Sequence, residues 1–172
     1  RMELRIDSPD PQHVVGEILT RGANVMLGYY KNPEATAAAL DNEGWYHTGD
    51  LGVLDQEGNL YIRGRSKNML LGSNGQNIYP EEIEDKLNTL PYVMESVVIQ
   101  KGEKLHALIH PDYEEAEKAG LDENALNRQM EENRRMLNTM INAYEQIVSV
   151  KLHKEEFEKT PKRSIKRFLY TE

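Results

Sequence analysis

The sequence predicts an α+β fold, and three observations carry that prediction. Residues 1 to 64 read as short strand-like runs broken by turn residues. From about residue 69 onward, amphipathic helical runs alternate with apolar strand runs, the pattern of a small sheet with helices packed on it. Between them Arg65-Ser66-Lys67-Asn68 has no apolar pattern to bury, and such a polar link is where a hinge or a site is placed.

The elements follow in chain order. The chain opens at Arg1, without an initiator methionine, on strand-like sequence, as expected of a piece of a longer protein. Gly16 to Thr20 alternates polar and apolar residues, as a half-buried strand does. Asn24 to Tyr30 is a second apolar run, read as another short strand. Asn32-Pro33-Glu34 supplies a capping residue, a proline at the first helical position and an acid in the first turn, so a short alanine-rich helix is expected over 35 to 40. Trp45 to Asp50 follows a turn at Asn42-Glu43-Gly44, and a hairpin then pairs Leu51–Leu54 with Asn59–Arg63 across Asp55 to Gly58.

Met69-Leu70-Leu71 begins a second hairpin, whose Asn74-Gly75 supplies the positive φ angles of a tight turn. Pro80 opens a helix to Leu90, with Glu81 and Glu82 at its positive end and Ile83, Leu87 and Leu90 on one face. Val93–Gln100 and Leu105–Ile109 are strands joined by a turn at Lys101-Gly102-Glu103. A long helix is expected over Glu123–Ile147, with Leu126, Met130, Leu137, Met140 or Ile141, and Tyr144 on one face and its methionines filling core. Val148–Leu152 is the last strand, and a basic tail runs from Phe157 to Tyr170.

Composition excludes several functions. A net charge of −8 argues against a dedicated nucleic-acid binder, which would show a basic face. No cysteine means no disulfide and no thiolate metal site, and fits a reducing compartment. No apolar run approaches the roughly 20 residues that cross a bilayer. The five histidines are scattered without ligand spacing, so no metal site is expected.

Three clusters carry chemistry. In Tyr46-His47-Thr48-Gly49-Asp50, a carboxylate held just after a glycine can accept hydrogen bonds from both hydroxyls of a ribose; a turn-stabilising role is the plainer alternative. In Gly64-Arg65, the cation can pair with that acid or reach a phosphate. Around Lys166, a flexible point charge suits a developing phosphate or carboxylate charge, against the alternative of a solvated chain end.

In order, the chain shows GEILTRGANVMLGYYKNPEAT, GWYHTGDLG, DQEGNLYIRGRSKNMLLGSNGQNIYPEEIE and KTPKRSIKR. This resembles the adenylate-forming (AMP-binding) superfamily over nearly the whole chain. The GRSKN and NIYPEEIE wording resembles the long-chain fatty-acid–CoA ligase branch, an acyl-CoA synthetase. The resemblance implies ligation in two steps: a carboxylic acid attacks the α-phosphate of ATP to give an acyl-adenylate, and coenzyme A then displaces AMP as a thioester. It implies ATP/AMP, coenzyme A and Mg2+ as cofactors, with the main phosphate loop and the acyl pocket upstream of this chain. Asp50 and Arg65 would hold the nucleotide, Gly72, Ser73, Asn74 and Gly75 would line the pantetheine tunnel, and Lys67 would be the hinge.

The tail departs from the family's P-x-x-x-x-G-K-type ending. Pro161-Lys162-Arg163-Ser164-Ile165-Lys166-Arg167 has no glycine, and the usual lysine position can fall on Ser164. Lys166 is the first choice for the catalytic lysine and Lys162 the second. The resemblance divides the chain into the strand-rich end of a large adenylating domain (1–64), a hinge (65–68) and a small three-layer lid with a short sheet flanked by helices (69–172). The partners implied are small-molecule substrates and the missing large domain. A cytoplasmic location is expected, with peripheral membrane contact left open. The alternatives are a ligase for aryl, short-chain or carrier-linked acids, and a non-catalytic module that binds a nucleotide or a partner.

Overall fold

In a computed structural model describing residues 1–171, the alternating runs of the first unit build a four-stranded antiparallel sheet in the order β1-β2-β3-β4. Its strands are β1 (Glu3–Asp7), β2 (Gly16–Arg21), β3 (Tyr46–Leu54) and β4 (Leu60–Arg65). The chain divides into two compact units, Arg1–Met69 and Leu70–Glu172. The first buries Ile6, Ile18, Leu19, Trp45 and Leu51. Trp45 is covered by two cations, the Arg5 and Arg21 guanidinium carbons lying 4.7 and 4.5 Å from its ring centre. β3 is longer than the hairpin strand expected, running through the Thr48-Gly49-Asp50 cluster, and a bulge at Leu51/Gly52 bends it against β4.

One expected strand is absent. Asn24 to Tyr30 is a loop, with Leu27 and Tyr30 exposed. The Tyr29 amide donates to the Thr36 hydroxyl of helix α1 (Pro33–Ala39) at 2.9 Å, so the run is tied to a helix rather than to a sheet edge. Arg65 to Asn68 closes as a turn on the end of β4: the amides of Asn68 and Met69 both donate to the Arg65 carbonyl, and Lys67 is exposed.

In the second unit a two-stranded hairpin, β5 (Leu70–Leu71) and β6 (Asn77–Ile78), leads into α2 (Pro80–Leu87). A three-stranded sheet follows in the order β7-β8-β9, built from β7 (Val93–Lys101), β8 (Lys104–Pro111) and β9 (Ile147–Leu152). β9 joins parallel to β8 because α3 (Tyr113–Lys118) and α4 (Glu123–Met140) provide the crossover. Period-2 alternation then sorts the sheet. Val98, Leu105, Ala107, Ile109 and Ile147 face α2 and α4, packing on Ile83, Leu87, Leu126, Met130 and Leu137. Val97 and Ile99 face the other way, against Phe157 of the tail, with Leu108, Ile165 and Tyr170 around them. The three layers are therefore helices, sheet and a C-terminal tail that ends in a 3-10 turn (Arg167–Leu169).

Three helices depart from expectation; α2 ends at Leu87, with Asn88 as its C-cap, and not at Leu90. α4 stops at Met140, not Ile147, because Asn142 and Glu145 form a capping box that starts a new 3-10 turn (Ala143–Glu145). Asn138 then bonds both the amide and the carbonyl of Ile147, fixing β9 to α4. Of its methionines, Met130 is core as expected, whereas Met136 and Met140 are exposed. Helix α3 was unexpected; its Asp112 side chain accepts from the Glu115 amide at 2.9 Å, a readable cap.

Candidate functional site

The β3–β4 pairing places Asp50 directly opposite Arg65. Arg65 Nε lies 2.9 Å from Asp50 Oδ1, and Arg65 Nη1 donates to the Thr48 carbonyl at 3.1 Å. Both side chains are more than one-third exposed, so the paired charges stay open to a ligand. Gly49 allows this approach: it has φ +72°, and a Cβ there would stand 3.2 Å from Arg65 Nη1.

Four further residues hold that strand. The Thr48 hydroxyl donates to the Ile18 carbonyl at 2.8 Å and accepts the Asp50 amide at 3.0 Å. Glu17, on β2, accepts the Gly49 amide with one carboxylate oxygen and meets His47 Nδ1 with the other, both at 2.9 Å. Asp41 lies 3.7 Å from His47 Nε2. The Glu17 hydrogen bond raises the His47 pKa above its ordinary value, against the effect of burial. Tyr46 shares a hydrogen bond with Tyr29, which raises its phenol pKa, and feels the charges of Arg65 and Asp50.

Sequence reasoning missed Glu17 and Tyr29 as parts of this cluster. Their contribution depends on the register that sets Leu19 opposite His47, and no local pattern announces it.

The glycine-bearing hairpin is on the second unit. Gly75 has φ +78° at its tip, and the Gly72 amide donates to the Gln76 carbonyl at 2.8 Å. A Cβ on Gly72 would come within 3.0 Å of Asn74 Oδ1 and 3.2 Å of the Gln76 carbonyl oxygen. Ser73, Asn74 and Gly75 are exposed, and Gln100 Nε2 secures the base by donating to the Leu71 carbonyl.

The tail forms a small hairpin. Lys159 and Ile165 pair as an antiparallel bridge, the Thr160 amide donates to the Ser164 carbonyl, and the Arg163 amide donates to the Thr160 carbonyl. Pro161 to Ser164 is the exposed tip. Arg163 there has φ +62°, the left-handed conformation that glycine favours. Lys166 is at the base of the hairpin, its ammonium 3.1 Å from Glu158 Oε2, while Lys162 and Arg163 make no ion pair among the described residues. Arg167, which the sequence did not single out, is sunk into the domain against Glu84.

Among the described residues no three His, Cys, Asp or Glu side chains gather to hold a metal ion. No described helix is long and apolar enough to cross a membrane.

Comparison with known proteins extends this geometry. "Probable acyl-activating enzyme 10" of Arabidopsis thaliana is 47% identical over 91 residues, 53% of this chain and 16% of its own length. A 2-succinylbenzoate–CoA ligase of Bacillus cytotoxicus is 42% identical over 105 residues, 59% of this chain and 21% of its own. Among solved structures, O-succinylbenzoate coenzyme A synthetase from Bacillus subtilis in complex with AMP superposes with TM-score 0.73 and 27% identity, covering 99% of this chain and 34% of that one. The adenylation domain of a Mycobacterium chelonae carboxylate reductase shares the fold at TM-score 0.82 and 24% identity, covering 98% of this chain and 29% of that one. The chain thus spans about a fifth or less of these curated relatives. Residues 67–172 match the AMP-binding enzyme C-terminal domain, and the chain belongs to that family.

Proposed function

We propose that this chain is the C-terminal part of an ATP-dependent acyl-CoA ligase that forms an acyl-adenylate and then a coenzyme A thioester. The observation that carries the reading is the Asp50–Arg65 pair, an open carboxylate and guanidinium 2.9 Å apart on neighbouring strands. The carboxylate can accept from two vicinal ribose hydroxyls while the guanidinium keeps it oriented and charged. Hydrogen bonds to a charged acceptor contribute about 1.5–3 kcal/mol each. Because the pair is open to water, the two bonds together are counted as one such contribution, and AMP binding should weaken by roughly 10- to 150-fold in Asp50→Ala.

The other roles follow from the same reading. Lys67, exposed in a turn with no apolar side chain to unpack, is the hinge residue between residues 1–64 and the lid 69–172. The hairpin Gly72-Ser73-Asn74-Gly75, exposed from Ser73 to Gly75, lines the path of the pantetheine arm, and open space around Gly75 lets a thin chain pass close to backbone while Gly72 packs inside the turn. Lys166 is the tail cation for the adenylating step, once released from Glu158, and Lys162 is the second choice. No residue of this chain is assigned to Mg2+. The upstream large domain completes the enzyme, and residues 1–172 alone are expected to turn nothing over. A cytoplasmic enzyme, able to meet a membrane at its surface, fits this reading.

The acid substrate is proposed to be a long-chain fatty acid, on the wording of Gly64 to Asn68 and Asn77 to Glu84. Relatives include the succinylbenzoate ligase above and, in Rhodococcus jostii, a CoA ligase for a methyl-dioxo-octahydroindenyl propanoate. Full-length protein given ATP, coenzyme A and palmitate should release AMP. AMP release with aryl acids alone would remove the fatty-acid reading, and none with any acid would leave a binding module.

A further inference from the structure

Glu84 and Arg167 come from the two motif-bearing segments of the second unit, α2 and the tail, and no role assigned above uses them. Glu84 is 7% exposed. Its Oε2 accepts from Arg167 Nη2 at 2.6 Å, and its Oε1 accepts from Arg167 Nη1 and from the Val98 amide. Arg167 Nη1 also reaches the Val98 carbonyl at 3.3 Å, and Glu81 Oε1 lies 3.8 Å from Nη2. The guanidinium is thus gripped from α2 and from β7 at once.

Stability alone does not explain such a pair. Removing both charges from water offsets most of their attraction, and an apolar pair of similar volume is often as stable. What an apolar pair cannot supply is direction, because a guanidinium fork meets a carboxylate in one plane only. The tail needs direction. Its own apolar anchors are Phe157, Ile165 and Tyr170, with the Tyr170 hydroxyl accepting from the Glu158 amide. On the other arm of the hairpin, Lys159 reaches Glu95 of β7 at 2.5 Å. The tip, with Lys162 and Arg163, therefore projects between two ionic anchors, and Lys166 immediately precedes Arg167.

We propose that the Glu84–Arg167 pair is a positioning device that holds the tail hairpin, and with it Lys162, Arg163 and Lys166, in one orientation for the phosphate chemistry of the adenylating step. The functional half of this proposal rests on the ligase reading above; the mechanical half does not.

The test uses E84Q/R167M, which keeps an acceptor for the Val98 amide and removes both charges. In the 172-residue chain, hydrogen exchange at the Thr160 and Arg163 amides should accelerate roughly tenfold or more, with Ala107 and Ile109 of β8 unchanged. In the full-length enzyme, acid-dependent pyrophosphate exchange should lose roughly tenfold or more in kcat at nearly constant KM for ATP, as expected of lost orientation. Thioester formation from supplied acyl-adenylate should stay near wild type, and R167K, a point charge without the fork, should be intermediate. Unchanged tip amides, or a parallel fall of both half-reactions with the melting temperature, would overturn the proposal. If the wild-type enzyme makes no acyl-adenylate from any acid, the ligase reading and the functional half fail together, and hydrogen exchange still decides whether the pair holds the tip.

Discussion

Replacing Glu17 tests how the candidate nucleotide site is held. Its carboxylate accepts the Gly49 amide and meets His47, so Glu17→Ala removes two hydrogen bonds to a charged acceptor and strands a part-buried N–H. Each such bond contributes about 1.5–3 kcal/mol when shielded. The Glu17 side chain is 27% exposed, so water replaces part of the loss. The expected destabilisation is therefore about 1.5–2 kcal/mol for the two together. Glu17→Gln keeps a carbonyl oxygen for Gly49 and should lose only about 0.2–1 kcal/mol. Trp45, the single tryptophan and a buried member of the first unit, reports on that unit alone. With an m-value of roughly 1–1.5 kcal/mol/M, the urea midpoint seen by its fluorescence should drop by about 1 M or more in Glu17→Ala.

The same pair sets a pH dependence. The folded His47 pKa is raised above 6.5, so the folded state binds the proton more tightly than the unfolded chain. The stabilisation is fully present below about pH 6.5 and is lost as pH rises through the raised folded value. Raising the pH from 6 to 8.5 should lower the Trp45-detected midpoint in wild type; this component should shrink in Glu17→Ala, where Asp41 still faces the ring, and vanish in His47→Gln. A midpoint in Glu17→Ala that matches wild type at pH 6, or a slope that survives in both variants, would refute the idea that Glu17 tethers the strand before Asp50.

Three further outcomes are expected. Leu137→Ala, at a fully buried site between α4 and the sheet, should cost about 2–5 kcal/mol in the second unit, seen by far-UV circular dichroism while the Trp45 transition stays in place. In full-length enzyme Lys166→Ala should lower adenylation by roughly a hundred- to a thousand-fold and spare thioester formation from supplied acyl-adenylate; unchanged adenylation would exclude Lys166 and turn attention to Lys162. Arg163→Gly should relieve about 1 kcal/mol of left-handed strain at the tail tip, read as slower exchange of the Thr160 amide.

The elements that could be read from sequence were those written in local code. Asn32-Pro33 and Pro80 began α1 and α2 as expected, and Gly75 turned the small hairpin, alone at positive φ where Asn74 was expected to share it. What escaped was written across strands or overruled locally. The apolar residues of Asn24 to Tyr30 matched a strand, but the Thr36 hydroxyl captured the Tyr29 amide that a strand partner would have needed. The long helix looked continuous because its apolar face persists to Tyr144, yet the Asn142–Glu145 box outcompeted one more turn of helix. Asp50 and Arg65 were visible as chemistry, whereas Glu17 was visible only as one polar position in an alternating strand. A register, unlike a turn, leaves no local mark.

The tail makes a glycine-type turn without a glycine. The family pattern places glycine before lysine, and this chain places Arg163 before Ser164. Arg163 nevertheless adopts φ +62°, the conformation glycine would take without cost and a side-chain-bearing residue takes at about 1–2 kcal/mol. The turn that needs it is closed by backbone bonds between Thr160 and both Arg163 and Ser164, so the demand comes from the hairpin and not from the residue occupying it. On the resemblance, aligned on the proline and the IKR ending, the usual lysine position would fall on Ser164, a neutral hydroxyl, with positive charge to either side of it. Lys162 and Arg163 carry it at the exposed tip; Lys166 carries it at the base beside Glu158. A left-handed turn closed by backbone bonds, held by two ionic anchors and flanked by Lys162, Arg163 and Lys166, presents positive charge in a fixed place, which is the arrangement the proposed contact with an anion would need.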